Sequence, residues 1–315
     1  MDELPIGQLE IDFVTGLPTA LSGPVVSPEE RATCSALNRE RARGILEAVK
    51  FAPSGQSFPV DVWNATFTRR AREWSLPLIS LAKLGFVREE EGLVCPPSLF
   101  ALKPGAEAQP YWHRGSGMVY KLFNLRAGGA LGKKISFEPG DHGEYELRHS
   151  DAMLVDTLEK IQVLHDMGAH PTEIIGLSDM GDFFIVKQPY AATQIYNSDQ
   201  RPQGEIYQLY EQDRAQSIAA ICGEICNGPG LREAVVVSWL NGHAWLVADL
   251  HNRNIMRDQN DAPTIIDALI GPVTPAAYLK LRWLQDQVAD AKAWRSSGKR
   301  SVRKKWHEDY DEADI

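Results

Sequence analysis

The sequence predicts an α+β chain: an antiparallel β region carrying one helix, then a mostly helical region, both preceded by a helical extension. Three observations predict it. From Cys95 onward the apolar residues fall in short runs separated by Gly-bearing turns, the pattern of paired strands. Before that point, and again past Pro189, they recur every three or four residues, the pattern of amphipathic helices. Asn241-Gly242, the strongest two-residue hairpin signal, stands between two further apolar runs.

A chain of 315 residues, 43% hydrophobic and 24% charged, can bury one large core or two modest ones, because domains run about 100–200 residues. The formal net charge is −9, from 33 Lys and Arg against 42 Asp and Glu. No field across the whole molecule therefore draws it to nucleic acid or to an anionic membrane. Met1-Asp2-Glu3-Leu4-Pro5 lacks the basic and apolar regions of a signal peptide. The best apolar run, Ser75 to Val87, is broken by Lys83 and is shorter than the roughly 20 residues that span a bilayer. These features predict a soluble, cytoplasmic protein. Four cysteines, at 34, 95, 222 and 226, are too few for a disulfide scaffold. Cys222 and Cys226 share one face of a predicted helix, but no further ligands stand nearby, so they read as buried thiols.

Element by element, residues 1–26 are rich in Pro and Gly and read as an extended arm. Ser27-Pro28-Glu29-Glu30 is a helix start, with a Ser cap and Pro in the first turn, and the helix runs to about Phe51. A second helix is expected over 61–84, where Trp63, Phe67, Ala71, Trp74, Leu78 and Leu81 form a stripe that packs on the next domain. Ser98–Leu102, Pro110–Arg114 and Met118–Phe123 predict a three-stranded meander. A loop rich in Gly and Lys (Gly128, Gly129, Gly132, Lys133, Lys134) reads as a solvated insertion. A helix over 150–167 and strands over 172–177 and 182–186 follow. The order is thus β-β-β-α-β-β. A helix is expected over 202–226, a hairpin over 234–247, a strand at 264–266 ending on Asp267, and a last helix over 274–294. The basic run Lys299–Lys305 beside acidic His307–Asp314 reads as a tail whose two charges cancel.

Phosphoryl transfer from ATP requires a Lys on the phosphates, carboxylate and amide ligands for Mg²⁺, and an Asp near the accepting hydroxyl. Asp249 and Asn254 stand five positions apart behind an apolar strand, which is the catalytic-loop spacing of that chemistry, and Asp267 closes the next strand.

Val247-Ala-Asp-Leu-His-Asn-Arg-Asn-Ile255 followed by Ile265-Ile-Asp267 resembles the protein-kinase-like superfamily, in the D-L-H-x-x-N form of the aminoglycoside phosphotransferases. Val119-Tyr-Lys121 resembles the strand that carries the kinase Lys, and Gly105-Ala-Glu107 lies where a phosphate-covering loop would be. The whole most resembles the compact kinase-like domains of polyvalent proteins from phages and other mobile elements, over about Cys95 to Pro272. The resemblance implies a two-lobed fold, with an N-terminal extension over 1–94, an N-lobe over 95–188 and a C-lobe over 189–315. It implies that Lys121 holds the α and β phosphates and that Glu159, or alternatively Asp156, keeps Lys121 aimed. Asp249 would orient the acceptor hydroxyl and take its proton, Asn254 and Asp267 would bind Mg²⁺, and His251 would brace the loop. Gly105 would help cover ATP, and Val186-Lys-Gln-Pro189 would be a hinge whose Val186 and Gln188 contact adenine. The acceptor would be a hydroxyl of a protein or small molecule, with no membrane or nucleic-acid partner.

The departures from the family are specific. Val247-Ala248-Asp249 and Asp267-Ala268-Leu269 stand where H-R-D and D-F-G are usual, no A-P-E motif appears, and Gly105 stands alone where three glycines are usual. Two other expectations therefore stand beside phosphotransfer: a catalytically silent binding module, and nucleotidyl transfer on the same fold.

Overall fold

Ser27 opens the first helix for a local reason. In the computed structural model, which describes residues 19–49, 60–89, 92–105, 107–125, 131–140, 145–191, 236–249, 254–260 and 263–297, helix α1 spans Pro28–Val49. The Ser27 hydroxyl accepts from the Glu30 N–H at 3.1 Å, and the Glu30 carboxylate accepts from the Ser27 N–H at 2.8 Å. This reciprocal pair satisfies donors that every helix start leaves over. The expected arm before residue 19, the helix over 202–226 with Cys222 and Cys226, Gly128 and Gly129, His251 and the tail lie outside the described residues.

The chain divides into two units. The first takes Met1–Gly132, Met153–His165 and Pro171–Tyr190; the second takes Lys133–Ala152, Asp166–His170 and Ala191–Ile315. Residues on both sides of position 94 belong to the first unit, in which α1 packs on the sheet that the later strands build.

In the first unit, α2 (Val60–Glu73) is shorter than the expected 61–84. Pro77 disfavours helical backbone at Leu76, and Ser75 turns the chain with a φ of 49°. The chain then enters strand β1 (Leu78–Ile79) and a small hairpin of β2 (Val87–Glu89) and β3 (Gly92–Val94). The meander follows as β4 (Leu99–Ala101), β5 (Gln109–His113) and β6 (Met118–Asn124). Helix α3 (Leu154–Met167) leads into β9 (Glu173–Ser178) and β10 (Phe183–Pro189). Six of these strands form one sheet in the order β1-β9-β10-β6-β5-β4, antiparallel except for β1 beside β9. Met118, Tyr120, Leu122 and Ile185 bury on one face against Leu21, Cys34 and Leu81. Phe123, Phe184 and Val186 bury on the other against Phe67, Leu158 and Ile161. The expected aromatic stripe is therefore divided: Phe67 and Ala71 enter one core, Leu81 the other, and Trp74 is exposed.

In the second unit, residues 133–151 correct the expected loop. They form a hairpin of two seven-residue strands, β7 (Lys133–Pro139) and β8 (Tyr145–Asp151), in which Ile135 and Phe137 alternate inward. The glycines and lysines ahead of it suggest a solvated loop, but the period-two alternation behind them decides the element. Strand β8 also delays the start of α3 from 150 to Leu154. Strands β11 (Val236–Leu240) and β12 (His243–Ala248) are joined by Asn241 and Gly242 with φ of 51° and 84°, the all-positive turn that their sequence predicts. Strands β13 (Ile255–Arg257) and β14 (Pro263–Ile265) form a second hairpin, and β15 (Leu269–Pro272) pairs with β12. The expected last helix is two, α4 (Pro275–Lys280) and α5 (Arg282–Ser297), separated by an extended Leu281. Ile135, Phe137, Val237, Leu246, Trp283 and Leu284 form the core of this unit. Between residues 189 and 315 the described residues carry the strands β11–β15 and the helices α4 and α5. No helix among the described residues is long and apolar enough to cross a membrane.

Candidate active site

Asp249 leaves β12 with a φ of 62°, in the left-handed region that Asp tolerates better than most residues. That turn brings its polar atoms to Asn254. The Asn254 amide donates to the Asp249 carbonyl at 2.9 Å and to the Asp249 carboxylate at 2.8 Å. Both amide hydrogens thus point at Asp249, and Oδ1 is left as the acceptor of that side chain. The Asn254 carbonyl accepts from the Ile266 N–H at 2.8 Å, just beyond the β13–β14 ladder. Asp267, the next residue, therefore leaves the hairpin beside Asn254, with its carboxylate accepting from the Ala268 N–H at 2.9 Å. The hairpin is held in turn by His170, whose N–H donates to the Ile265 carbonyl at 2.9 Å. In the second unit the structure thus joins Asp249 to Asn254 by hydrogen bonds and sets Asp267 one residue past the Asn254–Ile266 bond.

The remaining predicted residues lie in the first unit. Lys121, at the centre of β6, is half-buried and paired in register with Pro110 on β5 and Val186 on β10. It projects from the face that bears Phe123, the face covered by α3. Glu159 is on the exposed side of α3. Asp156 serves the start of that helix, accepting from the Met153 N–H at 2.8 Å. Gly105 donates its N–H to the Ala108 carbonyl at 3.2 Å, which makes the β4–β5 connection a turned loop. Val186 and Gln188 belong to β10 itself: Val186 stands in register with Lys121 of β6 and Ile174 of β9, and Gln188 with Val119 of β6.

Two charge arrangements escaped the sequence reading. Lys160, buried on α3, forms an ion pair with Glu107 of the β4–β5 loop. Its signal is positional: Thr157, Lys160 and Leu164 fall on the inward helical face, beside the exposed Glu159. Glu173 is completely buried, accepts from Arg41 at 2.8 Å and lies 3.8 Å from Lys187. It also accepts the N–H groups of Ala20 and Leu21 at 3.0–3.2 Å, while Lys187 donates to the Leu21 carbonyl at 2.6 Å. This network ties the start of the described chain to the sheet.

Among the described residues no three His, Cys, Asp or Glu side chains are grouped to hold a metal. The donor set at Asn254 and Asp267 is one amide oxygen and one carboxylate, both hard oxygen ligands, which suits Mg²⁺ completed by water and phosphate oxygens. No family model, curated protein or solved structure matches the chain.

Proposed function

We propose that the chain is an ATP- and Mg²⁺-dependent phosphotransferase of the kinase-like type, passing the γ-phosphoryl group to a hydroxyl of a protein or small molecule. The two-lobed kinase-like arrangement and a cytoplasmic setting belong to the same proposal. The observation that carries it is the Asn254 amide held on both the carbonyl and the carboxylate of Asp249, with Asp267 one residue past the Asn254–Ile266 hydrogen bond.

Each residue then has a task. The Asp249 carboxylate accepts the proton of the acceptor hydroxyl, whose oxygen bonds to the γ phosphorus as the bond to the β–γ bridging oxygen breaks and ADP leaves. Asn254 Oδ1 and the Asp267 carboxylate would hold Mg²⁺, which when bound offsets the charge of the triphosphate. Lys121 takes the α and β phosphates.

A silent binding module is the second reading. It draws on the exposure of Glu159, the residue expected to aim Lys121. Incubation with ATP labelled at the γ or the α phosphate separates the readings. γ label on an acceptor, lost in Asp249→Ala and Lys121→Ala, supports phosphotransfer; α label supports nucleotidyl transfer. Nucleotide binding without transfer to any hydroxyl acceptor supports the silent module.

A further inference from the structure

The β4–β5 connection is tied down along its length. The Leu102 N–H donates to the Pro110 carbonyl at 3.0 Å, and the Gly105 N–H to the Ala108 carbonyl at 3.2 Å. The Gln109 amide donates to the Leu102 carbonyl at 2.8 Å and to the Pro110 carbonyl at 3.1 Å. Glu107 then carries the loop onto α3, where its carboxylate pairs with Lys160; the two side chains are 15% and 7% exposed. Gly132 leaves the space for that carboxylate, since its φ is 111° and a Cβ there would overlap Glu107. Three residues before Lys160, and so on the same helical face, the Thr157 hydroxyl donates to the Leu131 carbonyl at 2.9 Å. Helix α3 therefore grips both the loop and the segment that makes room for its acid. A pair withdrawn this far from water is costly to part, because each partner loses its opposite charge while still withheld from solvent. The tip of the loop, Lys103-Pro104-Gly105, adds a proline of fixed φ to a single glycine.

We infer that Lys160 is a positioning residue: through Glu107 it holds the β4–β5 loop closed before any nucleotide arrives, so that the phosphates enter beneath a loop already shaped. The inference rests on the phosphotransferase reading, in which that loop covers the phosphates. It gives the lone Gly105 a physical reason. A loop of several glycines loses much conformational entropy when it folds over a ligand. A loop ordered in advance binds without that loss. Lys160 has a second effect in the same place, since it neutralises Glu107, whose charge would otherwise oppose a triphosphate beside it.

The test is hydrogen exchange over the β4–β5 connection of the full chain, with and without Mg²⁺ and ATP, together with γ-label transfer at varied ATP. Wild type is compared with Lys160→Met, with Glu107→Gln and with the exchanged pair, Lys160→Glu with Glu107→Lys. In wild type the loop should exchange slowly, and at the same rate with or without ATP. In Lys160→Met it should exchange faster and be slowed by ATP. A loop closed about one tenth of the time binds about tenfold more weakly, so KM for ATP should rise about tenfold in Lys160→Met. The rise should be smaller in Glu107→Gln, which leaves no opposing charge, and kcat should change less than KM in both. The exchanged pair should restore slow exchange and bring KM back toward that of wild type. A pair that served the fold alone would lower the midpoint of thermal unfolding in each variant without making loop exchange depend on ATP, and that result overturns the inference. Wild-type transfer under a loop that ATP slows, or Lys160→Met with the KM of wild type, would also overturn it and leave phosphotransfer standing. ATP binding that slows the loop in Lys160→Met but not in wild type, with no transfer to any hydroxyl acceptor, would uphold the role of Lys160 and overturn phosphotransfer. Folded wild type that binds no ATP in calorimetry overturns both.

Discussion

A φ of 62° at Asp249 is a conformation that side-chain-bearing residues enter at a cost of about 1–3 kcal/mol, usually where function requires it. Asn shares the tolerance of Asp for that region, so Asp249→Asn keeps the turn while removing the proposed base. Phosphoryl transfer should then fall by about 10²–10⁴, with the circular dichroism spectrum unchanged; a variant that transfers normally would remove Asp249 from the chemistry. Glu173 poses a structural problem, since its buried carboxylate is held by Arg41 and by the Ala20 and Leu21 N–H groups. Glu173→Ala withdraws the acceptor from Arg41, Lys187, Ala20 and Leu21, and should lower stability by about 3–5 kcal/mol in urea titration. The Asp249–Asn254 contact was legible in the sequence because its partners stand five positions apart, so chain spacing maps onto space. The Glu107–Lys160 pair was not, because its partners are 53 positions apart and meet only through the tertiary fold.

At the scale of elements, the cap of α1 gives a pH dependence. The hydrogen bond from Ser22, then that from the Ser27 N–H, holds the Glu30 carboxyl below its ordinary value of 4.5. A lowered carboxylate contributes stability that is present above that value and is lost as pH falls through the lower folded one. Ser22→Ala, which removes the first of these hydrogen bonds, should therefore destabilise the chain at neutral pH. The difference from wild type should shrink below pH 4.5, as measured by thermal unfolding across pH. Strand β15 is exposed to a different substitution. A Cβ at Gly271 would stand 1.6 Å from the Ile135 carbonyl oxygen, so Gly271→Ala must part β15 from β7 and should remove about 3 kcal/mol or more. Elements marked by local chemistry, the Ser27 start and the Asn241-Gly242 turn, were readable in advance. Helix α2 and the β7–β8 hairpin were misjudged because Pro77 outweighs an apolar stripe, and because alternation at Ile135 and Phe137 outweighs glycines beside it.

At the scale of the whole molecule, each unit has its own buried cluster among the described residues, with Tyr120 and Ile185 in the first and Leu246 and Trp283 in the second. Destabilisation should consequently stay local. In hydrogen exchange read by mass spectrometry, Glu173→Gln should speed exchange over β6, β9 and β10, and Gly271→Ala over β7, β8, β12 and β15. Faster exchange across both units from either change would show one cooperative core. The second unit also borrows its β7–β8 hairpin from the middle of the chain, between β6 and α3 of the first. During synthesis that hairpin emerges long before Val237, Leu246 and Trp283, the residues that cover Ile135 and Phe137. A nascent chain halted after Tyr190 would carry a finished first sheet and a bare apolar ribbon, a ready surface for chaperones or for association with its own copies.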